Sequence, residues 1–256
     1  VNTLAETAGP QTLQVVLGTG GSILASPVSV GLSVAGSALI PDDYTLSTQT
    51  VLFPAGSGDG ATFDIVLTVA DDLLMEGGES IGLALDGASL TGAASVGWPG
   101  ALALILVDDE TATISFVTAA SAQGEGSLPS VIPVVLQIPS GTLAGEVSVG
   151  VVASGSAVDP EDYTLSPVTA VFPAGSGDGM TVDLTLTLID DTLVEGAEEV
   201  ILSLDPGSLV GAATLAAPTT HTVAIDDNDA AAVAFALAAS SIAEGDAPST
   251  IQAVLD

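Results

Sequence analysis

The chain has 256 residues and carries 32 acidic residues against no lysine or arginine, which gives a formal net charge of −32. No side chain could neutralise a phosphate backbone, so direct binding of nucleic acid is excluded, and an anionic membrane would repel the chain. The absence of cysteine excludes disulfides and thiol catalysis, and no apolar stretch reaches the roughly 20 residues that a membrane-spanning helix needs.

The chain repeats itself at an interval of 119 residues. Asp43–Ser47 recurs as Asp162–Ser166, and Phe53–Gly60 recurs unchanged as Phe172–Gly179. A repeat of this length that restarts in the middle of a unit indicates an excerpt from a longer chain or a processed subunit. The predicted domains are a unit over 1–109 that lacks its first strand, a complete unit over 110–228, and the start of a third unit over 229–256.

Short runs of alternating apolar and polar residues, separated by Gly and Pro, predict an all-β fold in both units. In the complete unit the runs predict seven strands, the number and rhythm of a β-sandwich. The Gly-rich segment 173–179 is expected to close a hairpin, and 123–126 to kink the first strand. The predicted strands are Ala112–Thr118, Val131–Ile138, Glu146–Ala153, Val168–Phe172, Thr181–Ile189, Glu199–Leu204 and Thr219–Ile225.

Several conspicuous residues have structural interpretations. Phe53 and Phe172 each end a strand and are expected in the core. The Gly-rich loop after each of them lacks the Lys and the following helix of a phosphate-binding loop. His221 has no nucleophile or acid at a fixed spacing, which favours a structural role. Trp98 has no counterpart in the second unit and is expected to pack locally.

Two acidic loops follow the alternating runs. Residues 71–79 read Asp-Asp-Leu-Leu-Met-Glu-Gly-Gly-Glu, and 190–198 read Asp-Asp-Thr-Leu-Val-Glu-Gly-Ala-Glu. Four carboxylates in nine residues repel one another unless a cation lies between them, and this chain has no base to supply one. Dense hard oxygen ligands suit Ca²⁺, whereas Mg²⁺ prefers a small octahedral shell with bound water. One alternative is a pair of acidic loops that hold no ion and serve solubility. Catalysis is disfavoured, because the carboxylate pair of a glycosidase lines a cleft with aromatic residues and this chain has few aromatics.

In order, each unit carries an acidic kink, an Asp-Tyr pair, a Phe-Pro-Ala-Gly segment, an Asp-Asp-x-x-x-Glu-x-x-Glu loop and a terminal acidic run. This series resembles the Calx-beta domain, a calcium-binding module of sodium/calcium exchangers and large bacterial surface proteins. The resemblance covers the whole chain, in two units and a fragment. It implies tandem seven-stranded antiparallel sandwiches of immunoglobulin-like form, with calcium ligands in loops at one end of each sandwich.

Carried over by position, the resemblance implies nine acids and one main-chain carbonyl in each unit. In the first unit they are Glu6, Asp43, Asp71, Asp72, Glu76, Glu79, Asp108, Asp109 and Glu110, with the carbonyl of Leu74. In the second unit they are Glu125, Asp162, Asp190, Asp191, Glu195, Glu198, Asp226, Asp227 and Asp229, with the carbonyl of Leu193.

The terminal acids lie between one unit and the next, so calcium shared with the acidic loop would stiffen the joint. This pattern predicts a non-enzymatic, calcium-binding repeat region of an extracellular fibre or giant adhesin at the cell surface. Its expected partners are neighbouring repeats of the same chain and identical chains in a filament. Two alternatives remain open: a filament subunit that assembles by strand exchange, and a calcium-sensing module of a larger membrane protein.

Overall fold

The computed structural model describes residues 2–245 and 247–255. It is an all-β fold, and within those residues the one helical element is a 3₁₀ turn at Pro206–Ser208. No helix in the described part of the chain is long and apolar enough to cross a membrane.

The first unit forms two facing sheets. One has the strand order β1-β9-β8-β3-β5 and the other has the order β2-β6-β4. The strands are β1 (Asn2–Ala5), β2 (Gln11–Val16), β3 (Val28–Gly36), β4 (Tyr44–Leu46), β5 (Thr50–Phe53), β6 (Thr62–Val69), β7 (Leu74–Met75), β8 (Glu79–Thr91) and β9 (Ala101–Val107).

The second unit repeats this plan, with sheet orders β11-β20-β18-β14-β16 and β15-β17-β12-β10-β19. Three of its strands, β10, β13 and β19, have no counterpart strand in the described part of the first unit, and β10 pairs antiparallel with β12. The strands are β10 (Thr113–Phe116), β11 (Ala120–Gly124), β12 (Ser130–Gln137), β13 (Thr142–Leu143), β14 (Val147–Gly155), β15 (Tyr163–Ser166), β16 (Thr169–Phe172), β17 (Thr181–Leu188), β18 (Glu198–Leu204), β19 (Thr214–Leu215) and β20 (Thr220–Asp226). The third unit contributes the antiparallel pair β21 (Val233–Phe235) and β22 (Ala253–Leu255).

Three local predictions are wrong. Trp98 does not pack locally, because 96% of its surface is exposed. The first strand breaks between Phe116 and Ala120, not at 123–126, because β10 lies in one sheet and β11 crosses to pair with β20 in the other. The segment 173–179 does not close a hairpin, because β16 pairs with β14 while β17 pairs with β12 and β15. Strands in two facing sheets both turn alternate residues toward one core, so their sequence pattern is the same as that of a hairpin.

The sandwich cores lie between the sheets, and the predicted core position of both phenylalanines is confirmed, with Phe172 and Phe53 buried. In the second unit the buried residues form one continuous cluster that includes Ile114 and Phe116 of β10. In the first unit they fall into two separate clusters. His221 is buried and bonded to the Ser121 hydroxyl at 2.9 Å and the Thr118 carbonyl at 2.8 Å, which fits a structural role.

The acidic loop of the first unit touches the second unit directly. Its short strand β7 pairs parallel with β13, the Thr142 amide donating to the Leu73 carbonyl at 3.0 Å and the Ala144 amide to the Met75 carbonyl at 3.1 Å. Met75 packs against the core of the second unit. Gly141 has a φ of +84°, and a Cβ at that position would stand 1.9 Å from the Leu73 carbonyl oxygen, so the approach requires glycine.

Candidate metal centre

Two groups of three carboxylates form at one end of the first unit. Glu6, Asp108 and Glu110 make the first group, and Asp43, Glu76 and Glu79 make the second. Within each group, one oxygen from each side chain lies within 4.8 Å of the others. The members come from separated parts of the chain, so the folding of the sandwich brings them together.

The second unit repeats both groups at the same positions in the repeat. One group is Glu125, Asp227 and Asp229, and the other is Asp162, Glu195 and Glu198. Every member of the second unit lies 119 residues after its counterpart in the first. The four groups are called the carboxylate clusters below.

Asp108 and Asp227 fix each acidic loop to the end of its sandwich. One oxygen of Asp108 accepts from the amides of Glu76 at 2.7 Å and Gly77 at 2.8 Å, and the other accepts from Glu110 at 2.9 Å. Asp227 likewise accepts from the Glu195 amide at 2.7 Å. Each of these aspartates therefore joins the terminal acidic run to the acidic loop and holds the two carboxylate clusters of its unit beside each other.

The clusters are electrostatically strained in the absence of a cation. Burial, followed by repulsion from Asp72 and Asp108, raises the pKa of Glu6 to about 7. Burial and a side-chain hydrogen bond with Asp43 raise the pKa of Glu79 to about 7. Burial also raises the pKa of Glu125 and of Glu198, and in both cases neighbouring acids add to the effect.

Several cluster oxygens are buried without any hydrogen-bond partner. They are one carboxylate oxygen each of Glu79, Glu110, Glu125 and Asp229. A buried carboxylate oxygen normally accepts a hydrogen bond, and its desolvation is costly when it does not. Hard cations bind such oxygens, so the donor set fits a divalent cation such as Ca²⁺.

The structure collects twelve of the eighteen acids from the sequence-based ligand set into the clusters. Asp72 lies close enough to raise the pKa of both Glu6 and Glu76. The other acids of the set lie outside the clusters, as do the two main-chain positions; their roles as ligands stay predictions. These residues are Asp71, Asp72, Leu74, Asp109, Asp190, Asp191, Leu193 and Asp226.

Three of the acids outside the clusters accept hydrogen bonds from nearby residues of their own unit. Asp72 accepts from the amide of Leu74 at 2.7 Å, and Asp191 accepts from the amide of Leu193 at 2.6 Å, so these acids also shape their loops. Asp190 accepts from the side-chain amide of Asn228 at 2.8 Å. Sequence reasoning overlooked Asn228, although it occupies in the second unit the position of Asp109 in the first.

The sequence profile of the Calx-beta domain matches the chain twice, over residues 2–111 and 108–229. The chain belongs to the Calx-beta domain family. The resemblance in the sequence is thereby confirmed, as is the all-β tandem fold. The boundaries 1–109, 110–228 and 229–256 stay predictions.

Solved Calx-beta structures are similar to this chain at low identity. The apo form of the Calx CBD1 domain is 24% identical, covers 47% of this chain and 100% of its own, and has a TM-score of 0.40. The calcium-binding domain CBD12 of CALX1.1 is 18% identical, covers 87% of this chain and 96% of its own, and has a TM-score of 0.36. CBD12 from CALX1.2 is 19% identical, covers 88% of this chain and 96% of its own, and has a TM-score of 0.35. No curated protein matches the chain.

Proposed function

We propose that this tandem Calx-beta chain binds calcium at its four carboxylate clusters and that calcium stiffens the joint between the units. The observation that carries the proposal is the recurrence of both clusters at the same positions of two units, with buried oxygens that lack partners. A solubility function would require exposed acids, whereas Glu6, Asp43, Glu110 and Glu125 are buried.

In the first unit, Glu6, Asp108 and Glu110 would hold one cation, and Asp43, Glu76 and Glu79 would hold another. A bound cation supplies positive charge that the chain itself lacks. The carboxylates hold the acidic loop, because Asp108 bonds the amides of Glu76 and Gly77 directly. With the repulsion among them removed, the loop stays in one place at the end of the sandwich.

The same loop carries the contact with the second unit. The carbonyls of Leu73 and Met75 accept hydrogen bonds from the amides of β13 and the residue after it, and Met75 packs against the neighbouring core. An ordered acidic loop therefore presents a fixed β7 edge to the second unit, and a loop spread by charge repulsion does not. In this proposal, calcium acts on the joint through the loop that makes the contact.

The proposed setting is the extracellular part of a fibre or giant adhesin at the cell surface. External calcium is abundant enough to keep several acidic sites filled, and a chain with no Lys or Arg offers no site to proteases that cut after those residues. A repeat that binds its neighbour end to end suits an extended array. Its partners in this proposal are adjacent repeats of the same chain.

Calcium titration calorimetry tests the binding. We expect one ion for each of the four carboxylate clusters in the unaltered chain. Asp43→Asn with Glu79→Gln should remove one site from the first unit, and Asp162→Asn with Glu198→Gln should remove one site from the second. A matched control is Asp64→Asn with Asp183→Asn, which removes two exposed acids outside the clusters. Equal heats for the control and both cluster variants would reject the proposed sites.

A further inference from the structure

The two units differ in chemistry at one position beside the carboxylate clusters. Asn228 of the second unit stands where the first unit has Asp109, 119 residues earlier. The side-chain amide of Asn228 donates a hydrogen bond to the Asp190 carboxylate at 2.8 Å. Asp190 opens the acidic loop of the second unit and Asn228 lies in its terminal run, so this bond joins the two segments.

The Asn228–Asp190 pair lies against the cluster that contains Glu125. Gly126 follows Glu125 in the chain, and a Cβ on Gly126 would stand 3.2 Å from the Asn228 amide nitrogen and 3.7 Å from an Asp190 oxygen. Burial, together with repulsion from four acids that include Asp190, raises the pKa of Glu125. The pair is therefore close enough to the cluster to change how a cation binds there.

The first unit cannot form the same bond. Its residues at these positions are Asp71 and Asp109, and two ionised carboxylates only accept hydrogen bonds, so neither can donate to the other. A carboxylate at position 109 offers a cation a charged oxygen, whereas the Asn228 side chain offers a neutral one and turns its amide toward Asp190. The second unit thus has one negative charge fewer at this place.

We propose that Asn228 takes the place of a cation beside Asp190, so that it holds the acidic loop of the second unit without calcium and lowers the calcium affinity of that unit. The inference rests on the proposed calcium function. A cation that binds the bonded Asp190 oxygen must compete with the amide for it. The missing charge acts in the same direction, because the number of charged ligands tunes calcium affinity.

Unequal affinity gives the chain a response to calcium in two steps. The acidic loop of the first unit carries the contact with β13, so filling of the first-unit clusters orders the joint. The second-unit clusters fill only at a higher calcium concentration. The joint therefore stiffens first, while the loop of the second unit is already held in part by the Asn228–Asp190 bond.

In chelator, the heteronuclear NOE of the Leu193 amide tests the hold on the loop, because this amide lies within the acidic loop of the second unit and bonds Asp191. Asn228→Ala removes the donor and adds no ligand, so the NOE of Leu193 should fall. The Leu74 amide, at the same position of the first unit, is the internal control and should not change. An unchanged NOE of Leu193 in this variant would contradict the proposed hold.

Calcium titration of the full 256-residue chain at pH 8, followed by NMR, tests the affinity of each unit separately. The backbone amides of Gly77 and Gly196 lie at equivalent positions of the two acidic loops, so each reports on its own unit. We expect the second unit to bind about tenfold more weakly than the first, and Asn228→Asp to remove most of this difference by adding a charged ligand. Asp109→Asn should weaken the first unit by a similar factor.

Gln137→Glu is the matched control, because it adds the same charge at an exposed residue outside the clusters and should leave both affinities unchanged. An Asn228→Asp chain whose second unit binds calcium no more tightly than the unaltered chain would overturn the proposal and leave calcium binding itself in place. A chain in which calcium shifts neither glycine amide would instead reject the calcium function, and this inference with it.

Discussion

Phe172 and Phe53 occupy the same repeat position, yet their surroundings differ. Phe172 is fully enclosed in a continuous core, whereas Phe53 is slightly exposed and lines an apolar cavity of about 510 Å³ beside β2. Phe172→Ala should lower the free energy of unfolding of its unit by about 3–5 kcal/mol, the cost of a cavity at a fully buried ring. Phe53→Ala should cost less, because the cavity already leaves part of the ring without packing contacts.

Urea denaturation of the two variants measures these costs. Leu52→Ala is the control, since Leu52 lies on the same strand as Phe53 but faces outward and is half exposed. A loss below about 1 kcal/mol for Phe172→Ala would show that the ring contributes little to the core and that the strand register is wrong.

The raised pKa values of Glu6 and Glu79 predict a pH dependence of the calcium-free protein. Both groups have an ordinary pKa of 4.5 and a folded pKa of about 7. Between these values the folded state holds more protons than the unfolded state, so the free energy of unfolding falls as pH rises from about 4.5 to 7. In chelator, the melting temperature should be higher at pH 5 than at pH 8.

Excess calcium should remove or reverse this trend, because the cation binds the deprotonated carboxylates and protons compete with it. Thermal melts at both pH values, with chelator and with calcium, make the comparison. Glu6→Gln with Glu79→Gln should flatten the trend in chelator. A chelated protein that is more stable at pH 8 than at pH 5 would contradict the electrostatic account of the clusters.

At the residue scale, spacing identified the acids but not their grouping. The sequence shows the Asp-Asp pair and the two Glu residues of each acidic loop, and it shows the acidic run at the end of each unit. Their division into two clusters depends on Asp43 and Glu6, which lie far away in the chain and arrive through folding. The terminal runs differ in chemistry, because the Asn228 side-chain amide donates to Asp190, whereas the Asp109 carboxylate at the same repeat position can only accept.

At the scale of elements, the repeat and the alternation of apolar residues predicted most of the strands. Alternation tells which residues face the core, but not which of two facing sheets a strand joins. For that reason the sequence does not reveal that the chain crosses between sheets after β10, and it predicts a hairpin where β16 and β17 lie in different sheets. The pairing of β7 with β13 could not be predicted from the sequence, since Leu74 and Met75 resemble any apolar residues in a loop.

The β7–β13 contact can be tested at Gly141. Gly141→Ala places a Cβ where it would collide with the Leu73 carbonyl, so the two units should tumble more independently. The control is Gly179→Ala, where φ is +78° and no atom lies within 4 Å of the added Cβ. Both variants carry similar backbone strain, but only Gly141→Ala opposes the contact.

Rotational correlation times from NMR relaxation report the result for each unit, in the presence of calcium. We expect shorter and unequal times for Gly141→Ala, and unchanged times for Gly179→Ala. Equal tumbling of both variants and the unaltered chain would show that β13 does not hold the acidic loop.

At the scale of the whole molecule, each sandwich has its own apolar core, and no cluster carboxylate belongs to it. Removing calcium should therefore loosen the joint before it unfolds a unit. Calcium should also raise the melting temperature with the logarithm of its free concentration once the sites fill. Repulsion among the emptied clusters should weaken in high salt, because screening shortens to about 3 Å at 1 M ionic strength.

The most direct test of calcium-dependent stiffening is small-angle X-ray scattering with calcium and with chelator. We expect calcium to give one compact joint geometry, and chelator at low salt to give a larger maximum dimension and a more flexible scattering profile. The same maximum dimension and the same flexibility in both conditions would contradict the account.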